Sequence, residues 1–267
     1  MLITFIGGGN MATALISGLR KSMDSDLSIR VSDPSEDARK RLQADYDVDP
    51  FTDAASAISG ADVIVLAVKP QIMPVVLDQL KGNVEPGQLL LSIAAGTTIA
   101  TIVKVLGNDQ AVIRSMPNAP ALIGQGITAI CPGENCKQHH IEHAEQILAT
   151  AGKVVTVEDE SLMDVVTAIS GSGPAYFFLL TEALSESGRA LGLPGDVADK
   201  LAAYTASGAG AMVSQSTESV AELRRQVTSP GGTTEAALAA LESGMFRELV
   251  HTAVDAASRK GRELAGD

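Results

Sequence analysis

Leu2-Ile3-Thr4-Phe5-Ile6-Gly7-Gly8-Gly9-Asn10-Met11-Ala12 is the stretch on which the fold turns. Leu2–Ile6, apolar apart from Thr4, reads as a buried parallel strand, and Thr13–Lys21 carries helical spacing. Between them lies G-x-G-x-x-A. Glycines there permit a tight turn and the close approach of a pyrophosphate, and Ala12 lets helix and strand pack closely. A bare glycine-rich connection is the competing reading; the strand before and the helix after weigh against it.

The second strand, Ile29–Asp33, should end at the adenosine ribose of a bound dinucleotide. Asp33 lies 24 residues beyond Gly9, where a carboxylate accepts from a ribose 2′-hydroxyl and repels a 2′-phosphate. That leans to NADH. Pro34 and Ser35 serve equally as a turn and a helix cap, since Ser35-Glu36-Asp37 is a good helix start. Arg39, Lys40 and Arg41 offer a competing cationic patch and read as a solvated helix face.

Alternation continues through 53–59 (helix), 61–68 (strand), 70–80 (helix), 88–93 (strand), 98–106 (helix), 111–114 and 126–131 (strands), 139–151 (helix) and 153–157 (strand). Such alternation means an α/β, doubly wound parallel sheet, with ligands at its carboxyl ends. Ala67-Val68-Lys69-Pro70, Ala94-Ala95-Gly96 and Ser115-Met116-Pro117-Asn118 occupy those ends. Lys69 either reaches a ribose or phosphate or is a surface lysine; Asn118 either meets the cofactor or makes a turn.

Cys131 and Cys136 followed by His139, His140 and His143 look like a metal cluster, but the spacing is not that of a structural zinc site. A surface turn entering a helix is expected, with no metal. The formal charge of −12, three Tyr, five Phe and no Trp argue against nucleic acid. Two cysteines, no signal-like N-terminus and no apolar stretch near the roughly 20 residues of a membrane helix lead to the expectation of a soluble, cytoplasmic chain with no membrane partner.

The strands stop after Val157, and nearly everything from Glu160 has helical periodicity. A dinucleotide-binding domain over 1–158 and an all-α domain over 159–267 are expected. Many of these helices are Ala-rich and apolar on more than one face, so dimerisation through them is the economical way to bury them; a helical cap on the same chain is the alternative. Ser170-Gly171-Ser172-Gly173-Pro174 interrupts them as a hinge, a close helix crossing or a pocket wall. Glu160 near it is either a partner for a cationic nitrogen or a solvated helix-start carboxylate.

Ser229-Pro230-Gly231-Gly232-Thr233-Thr234 is the second informative stretch. Two glycines each cost a helix interior about 1 kcal/mol, yet Ser229 suits an N-cap and Pro230 a first helical position. The reading is a helix terminus with bare amides and threonine hydroxyls, able to hold an anion.

With these motifs in place, the chain resembles the pyrroline-5-carboxylate reductases along essentially its whole length. The resemblance rests on 5–11, 67–70 and 114–118, and above all on Ser170–Tyr176 and Val227–Thr234. It implies a Rossmann domain followed by a helical dimerisation domain, with dimers often assembled into decamers. It implies reduction of 1-pyrroline-5-carboxylate to L-proline by NADPH or NADH, the family leaning to NADPH. Gly7, Gly8, Gly9, Asn10 and Met11 would lie at the pyrophosphate. Asp33 and Ser35 would lie at the ribose, with Ala67, Val68, Lys69, Pro70, Ala95 and Asn118 toward the nicotinamide end. Ser229, Gly231, Gly232, Thr233 and Thr234 would hold the substrate carboxylate, with Thr234 catalytic at the ring nitrogen and Glu160 at the pocket edge. Family members often carry a cofactor-contacting Asn where this chain has Asp53 and Ala54, so that contact is in doubt.

Two other readings compete. A dinucleotide-binding regulator has no need of the Ser229–Thr234 terminus. A dehydrogenase of hydroxy acids needs a Lys or His base, and beyond residue 158 only Lys200, His251 and Lys260 exist, none beside a glycine loop.

Overall fold

The computed structural model describes residues 1–22 and 27–265. Among them the strands are β1 (Leu2–Ile6), β2 (Ser28–Ser32), β3 (Asp49–Phe51), β4 (Val63–Leu66), β5 (Leu89–Ser92), β6 (Ala111–Met116), β7 (Gly126–Pro132) and β8 (Gly152–Thr156). They form one sheet in the order β3-β2-β1-β4-β5-β6-β7-β8. Helices α1 (Asn10–Ser22), α2 (Glu36–Tyr46), α3 (Ala54–Ile58), α4 (Met73–Leu80), α5 (Ile99–Leu106) and α6 (Gln138–Ala149) connect them.

Both faces of the sheet are covered. Phe5, Leu15, Ile16 and Leu19 belong to one core cluster, and Ile6, Ile64, Leu66, Leu77 and Ile102 to the other. Neighbouring Phe5 and Ile6 fall in different clusters because side chains alternate along a strand. Each such buried side chain stabilises by about 1.5–3 kcal/mol. The helix starts read from sequence are capped by side chains: Ser35 accepts from Ala38 N, Asp53 from Ser56 N and Thr98 from Thr101 N. Hydrogen bonds from Ser56, side chain first and then backbone, hold the Asp53 carboxyl below its usual range.

Two features differ from the expected parallel sheet. β3 is an additional three-residue edge strand with Pro50 at its centre, a position where the missing amide is tolerated. β7 runs antiparallel to β6 and parallel to β8. Only residues 117–125 separate β6 from β7, too few for a parallel crossover of a dozen or more residues.

Packing divides the chain into two compact units, Met1–Ser172 with Ala257–Asp267, and Gly173–Ala256. Strands end at Thr156, but a 3-10 turn (Glu160–Leu162), α7 (Met163–Val166) and a π-helical turn (Thr167–Gly171) still belong to the first unit. The second holds α8 (Gly173–Ala190), α9 (Gly195–Gln215), α10 (Val220–Gln226), α11 (Thr233–Ser243) and the first half of α12 (Phe246–Ala265).

In the second unit only Gly173, Ser185, Ala198 and Ala202 are buried. Phe177, Phe178 and Tyr204 are 69%, 66% and 78% exposed, and Leu179, Leu201, Val220 and Leu249 are also bare. Large apolar side chains left bare in this way mark interaction surface. The helical run Glu160–Ala190, 31 residues, is long and apolar enough by length and composition to cross a membrane, contrary to the sequence reading; the core helix of a soluble protein passes the same test.

His140, the third residue of α6, is buried, and its Nδ1 accepts from Lys137 N at 3.1 Å. Burial, and then the neighbouring His139, push its pKa below the usual 6.5. The unfolded chain therefore takes up a proton at a pH where the folded chain resists it. The stability this neutral ring contributes is present above pH 6.5 and is lost as pH falls through the folded value. The urea midpoint should drop on acidification from pH 7.5, and His140→Gln should flatten that slope. An identical slope in the variant excludes His140 as its source.

Candidate functional site

β1 leads one way to β2 and β3, and the chain returns to β4 on the other side of β1. That reversal opens a crevice at the carboxyl ends of β1 and β4. The three glycines there are not equivalent. Gly7 has φ +104°, and a Cβ on it would lie 2.6 Å from Ala67 O. On Gly8 it would lie 2.8 Å from Leu42 Cδ1 and 3.4 Å from Asp33 Oδ2. On Gly9 it would meet nothing within 4 Å. The protein's own packing requires the first two; the third borders open space beside the α1 terminus.

Thr13 N is the first amide of α1 to find a helical acceptor, Gly9 O at 2.9 Å. The amides of Asn10, Met11 and Ala12 precede it and have no intrahelical partner, which makes the terminus an anion site. A dinucleotide pyrophosphate fits this donor set and the room above Gly9. Gly9→Ala should leave the thermal midpoint unchanged and weaken dinucleotide binding roughly tenfold, the scale of one charge-assisted hydrogen bond. A fall in midpoint with unchanged affinity would reverse that assignment.

Asp33 stands just past β2. Its Oδ2 accepts from Gly8 N at 2.7 Å and its Oδ1 from Ser35 N at 2.8 Å, so both oxygens are fixed beside the glycine loop. The expected solvated face of Arg39, Lys40 and Arg41 needs correction. Lys40 pairs with Glu36 on the surface at 2.6 Å, but Arg39 donates to Asp33 O and Arg41 to Gly8 O at 3.4 Å. Two guanidinium groups thus lie beside Asp33 and the glycine loop.

Ala67 and Val68 are half-buried against Gly7, while Lys69 is exposed ahead of the 3-10 turn that Pro70 opens. Ala95 is exposed beside Gly96, whose φ is +70°. Asn118 takes the turn role: its Oδ1 accepts from Ile127 N at 3.0 Å and closes the β6–β7 connection.

Glu160 is anchored through one of its carboxylate oxygens. Its Oε1 accepts from Arg114 Nη1 at 3.0 Å and from Ile99 N, the first residue of α5, at 2.9 Å. The second guanidinium nitrogen lies 3.6 Å from Asp164 Oδ1, and the Arg114 side chain is only 5% exposed. Composition gave no signal of this cluster, because its members come from β6, the 3-10 turn and α7.

Ser170–Pro174 is not an interruption. Ser172 N donates to Thr167 O, five residues back, at 2.8 Å, and the π turn runs on into α8. The Thr167 and Ser170 hydroxyls donate to Met163 O and Val166 O of their own helix. A Cβ on Gly171 would lie 2.5 Å from Met116 Cε, the movable tip of a side chain at the end of β6. π turns inside α-helices concentrate at functional sites.

Ser229 and Pro230 do not begin the helix as expected. Gly232 N donates to Ser229 O at 3.0 Å and Gly231 has φ +71°, a type II turn with proline and glycine in their preferred places. Gly232, at φ −85° and ψ 172°, is the N-cap of α11 and brings no capping side chain. The ladder starts with Ala236 N on Gly232 O at 3.2 Å. The amides of Thr233, Thr234 and Glu235 are consequently unpaired within the helix. Shifting the start by three residues puts both threonines in the first turn, as an anion site needs.

Cys131 and Cys136 are free thiols. The Cys136 thiol donates to Val112 O at 3.2 Å, and the His139 ring lies 4.0 Å from that of His140 and 6.1 Å from that of His143. Among the described residues no three such side chains gather as a ligand set.

The family described as "Pyrroline-5-carboxylate reductase dimerisation" matches residues 160–264, and that described as "NADP oxidoreductase coenzyme F420-dependent" matches 2–96. A pyrroline-5-carboxylate reductase of Pseudomonas aeruginosa is 44% identical over 263 residues, 98% of this chain and 96% of that one. The solved pyrroline-5-carboxylate reductase of Coxiella burnetii superposes with a TM-score of 0.94 at 40% identity, covering 98% and 97% of the two chains. The Plasmodium falciparum pyrroline carboxylate reductase, solved with NADP bound, superposes with a TM-score of 0.84 at 29% identity over 99% and 98%.

Proposed function

The chain belongs to the pyrroline-5-carboxylate reductase family, and on that premise we propose how its residues divide the work. The reaction is reduction of 1-pyrroline-5-carboxylate to L-proline, the last step of proline biosynthesis. The nicotinamide cofactor supplies hydride to the imine carbon. The rest is positioning: an imine whose nitrogen is protonated is already electrophilic, so the site must hold it in line rather than activate it strongly.

The observation that carries this reading is the α11 start at Gly232. The amides of Thr233 and Thr234 receive the ring carboxylate, with the Ser229–Gly232 turn holding the backbone open for it. The Thr234 hydroxyl, one residue into the helix, holds the ring nitrogen. Gly8, Gly9, Asn10 and Met11 take the pyrophosphate, and Asp33 the adenosine ribose. Ala67, Val68, Lys69, Pro70 and Ala95 border the nicotinamide end. Glu160 is a structural anchor in this reading. The chain self-associates through its dimerisation helices; the finer assembly, five dimers in a decamer, rests on the family resemblance alone.

For the cofactor the reading is NADH. A carboxylate fixed by two amides accepts a 2′-hydroxyl and repels a 2′-phosphate, while Arg39 and Arg41 keep the discrimination moderate. Oxidation followed at 340 nm should give a higher kcat/KM with NADH than with NADPH. Asp33→Ser should shift the ratio toward NADPH about tenfold, one charged hydrogen bond's worth. A wild-type preference for NADPH would overturn this, and no oxidation of either cofactor would overturn the residue assignments as well.

A further inference from the structure

Glu235 is the third residue of α11, a place from which glutamate ordinarily reaches back to the N-cap amide. Here the Gly232 amide is already taken by Ser229 O. Glu235 reaches one residue further, and its Oε2 accepts from Gly231 N at 2.7 Å. Within Ser229–Glu235 every other side chain is neutral or absent. The terminus that awaits an anion therefore has one carboxylate built into it.

We propose that Glu235 is a specificity-determining residue of this site: it makes the terminus favour ring carboxylates that also carry a cationic nitrogen over those that carry none. The inference rests on the carboxylate placement proposed above. A ligand carboxylate on the Thr233 and Thr234 amides is two or three residues from the Gly231 amide, at most about 8–11 Å at 3.8 Å per residue step. Like charges that far apart at a half-wet surface weaken binding about three- to tenfold. A ligand whose own nitrogen is cationic offsets the repulsion, because the same carboxylate attracts that charge. Substrate iminium and product ammonium both qualify; a purely anionic ring acid does not. The carboxylate also ties down the turn, so a charge that disfavours anions is tolerated at an anion site.

The experiment compares competitive inhibition of the full-length enzyme by L-proline and by cyclopentanecarboxylate, the same ring acid without nitrogen. Glu235→Gln keeps an acceptor oxygen for Gly231 N and removes the charge at an exposed position. It should tighten cyclopentanecarboxylate about three- to tenfold and change L-proline less than about twofold, narrowing the selectivity. An unchanged ratio overturns the proposal. Thr233→Pro deletes one amide at a first helical position that accepts proline and should weaken both ligands alike. If it does so while Glu235→Gln leaves the ratio unmoved, the Glu235 inference alone falls. If Thr233→Pro affects neither ligand, the carboxylate placement falls and this inference with it.

Discussion

Thr234→Ala slows turnover by roughly a hundred- to ten-thousand-fold and leaves dinucleotide affinity at its wild-type value. The hydroxyl's surroundings carry the expectation. Thr181 and Thr252 donate to the carbonyl four residues back in their own helices, and Thr228, just past α10, to that of Arg224 within it. Thr234 is the second residue of α11 and has no helical turn behind it; four residues back is Pro230, inside the turn. Its hydroxyl is not engaged by its own helix and is available to a ligand on the amides beside it. Hydride adds to an imine carbon readily when the nitrogen is protonated, and a hydroxyl at that nitrogen stabilises charge as it changes during transfer. The measurement is kcat/KM alongside a fluorescence titration with dinucleotide. Thr234→Ser should recover most of the lost rate, because the hydroxyl returns. Wild-type kcat and KM in the alanine variant would remove Thr234 from its role.

Arg114→Met should cost about 3–5 kcal/mol of stability, the penalty for leaving a buried charge without its partner. Methionine keeps much of the volume and removes the fork that serves Glu160 and Asp164. The two carboxylates would then face each other near the amide of Ile99 with no cation between them. Adding Asp164→Asn should restore part of the loss, since one uncompensated charge disappears. The readout is the urea midpoint and slope of each variant. An unaltered midpoint in Arg114→Met would show the cluster to be solvated after all.

What was legible in the chain follows from local chemistry. The apolar runs at 2–6, 61–68 and 88–93 each enclose a strand of the structure, and the glycines of 7–9 named the turn between β1 and α1. Asp33 was placed by its distance from Gly9, and the structure sets its oxygens on the loop. Contacts with partners distant in sequence could not be read from the chain. Glu160 looked free because Arg114 is 46 residues away, and Asn118 because Ile127 belongs to the next strand. Ser170–Pro174 looked like a break because Gly and Pro are read as helix breakers, whereas the π turn there keeps a helical backbone. The antiparallel β7 follows from a connection length that was countable in the sequence, whereas the Ser229 misplacement followed from taking Pro230 as a helix start rather than a turn corner.

The first compact unit is assembled from both ends of the chain, and this bears on how it is made. Gly261 of α12 sits against Asp164, where a Cβ would lie 3.2 Å from Oδ1. As the polypeptide leaves the ribosome, all eight strands and Arg114 emerge long before residue 261 does. A nascent chain can close its nucleotide crevice early, but Asp164 lacks its contact with Gly261 until the last turns of α12 arrive. A protease that trims α12 would expose Asp164 at the Gly261 contact while leaving every strand intact.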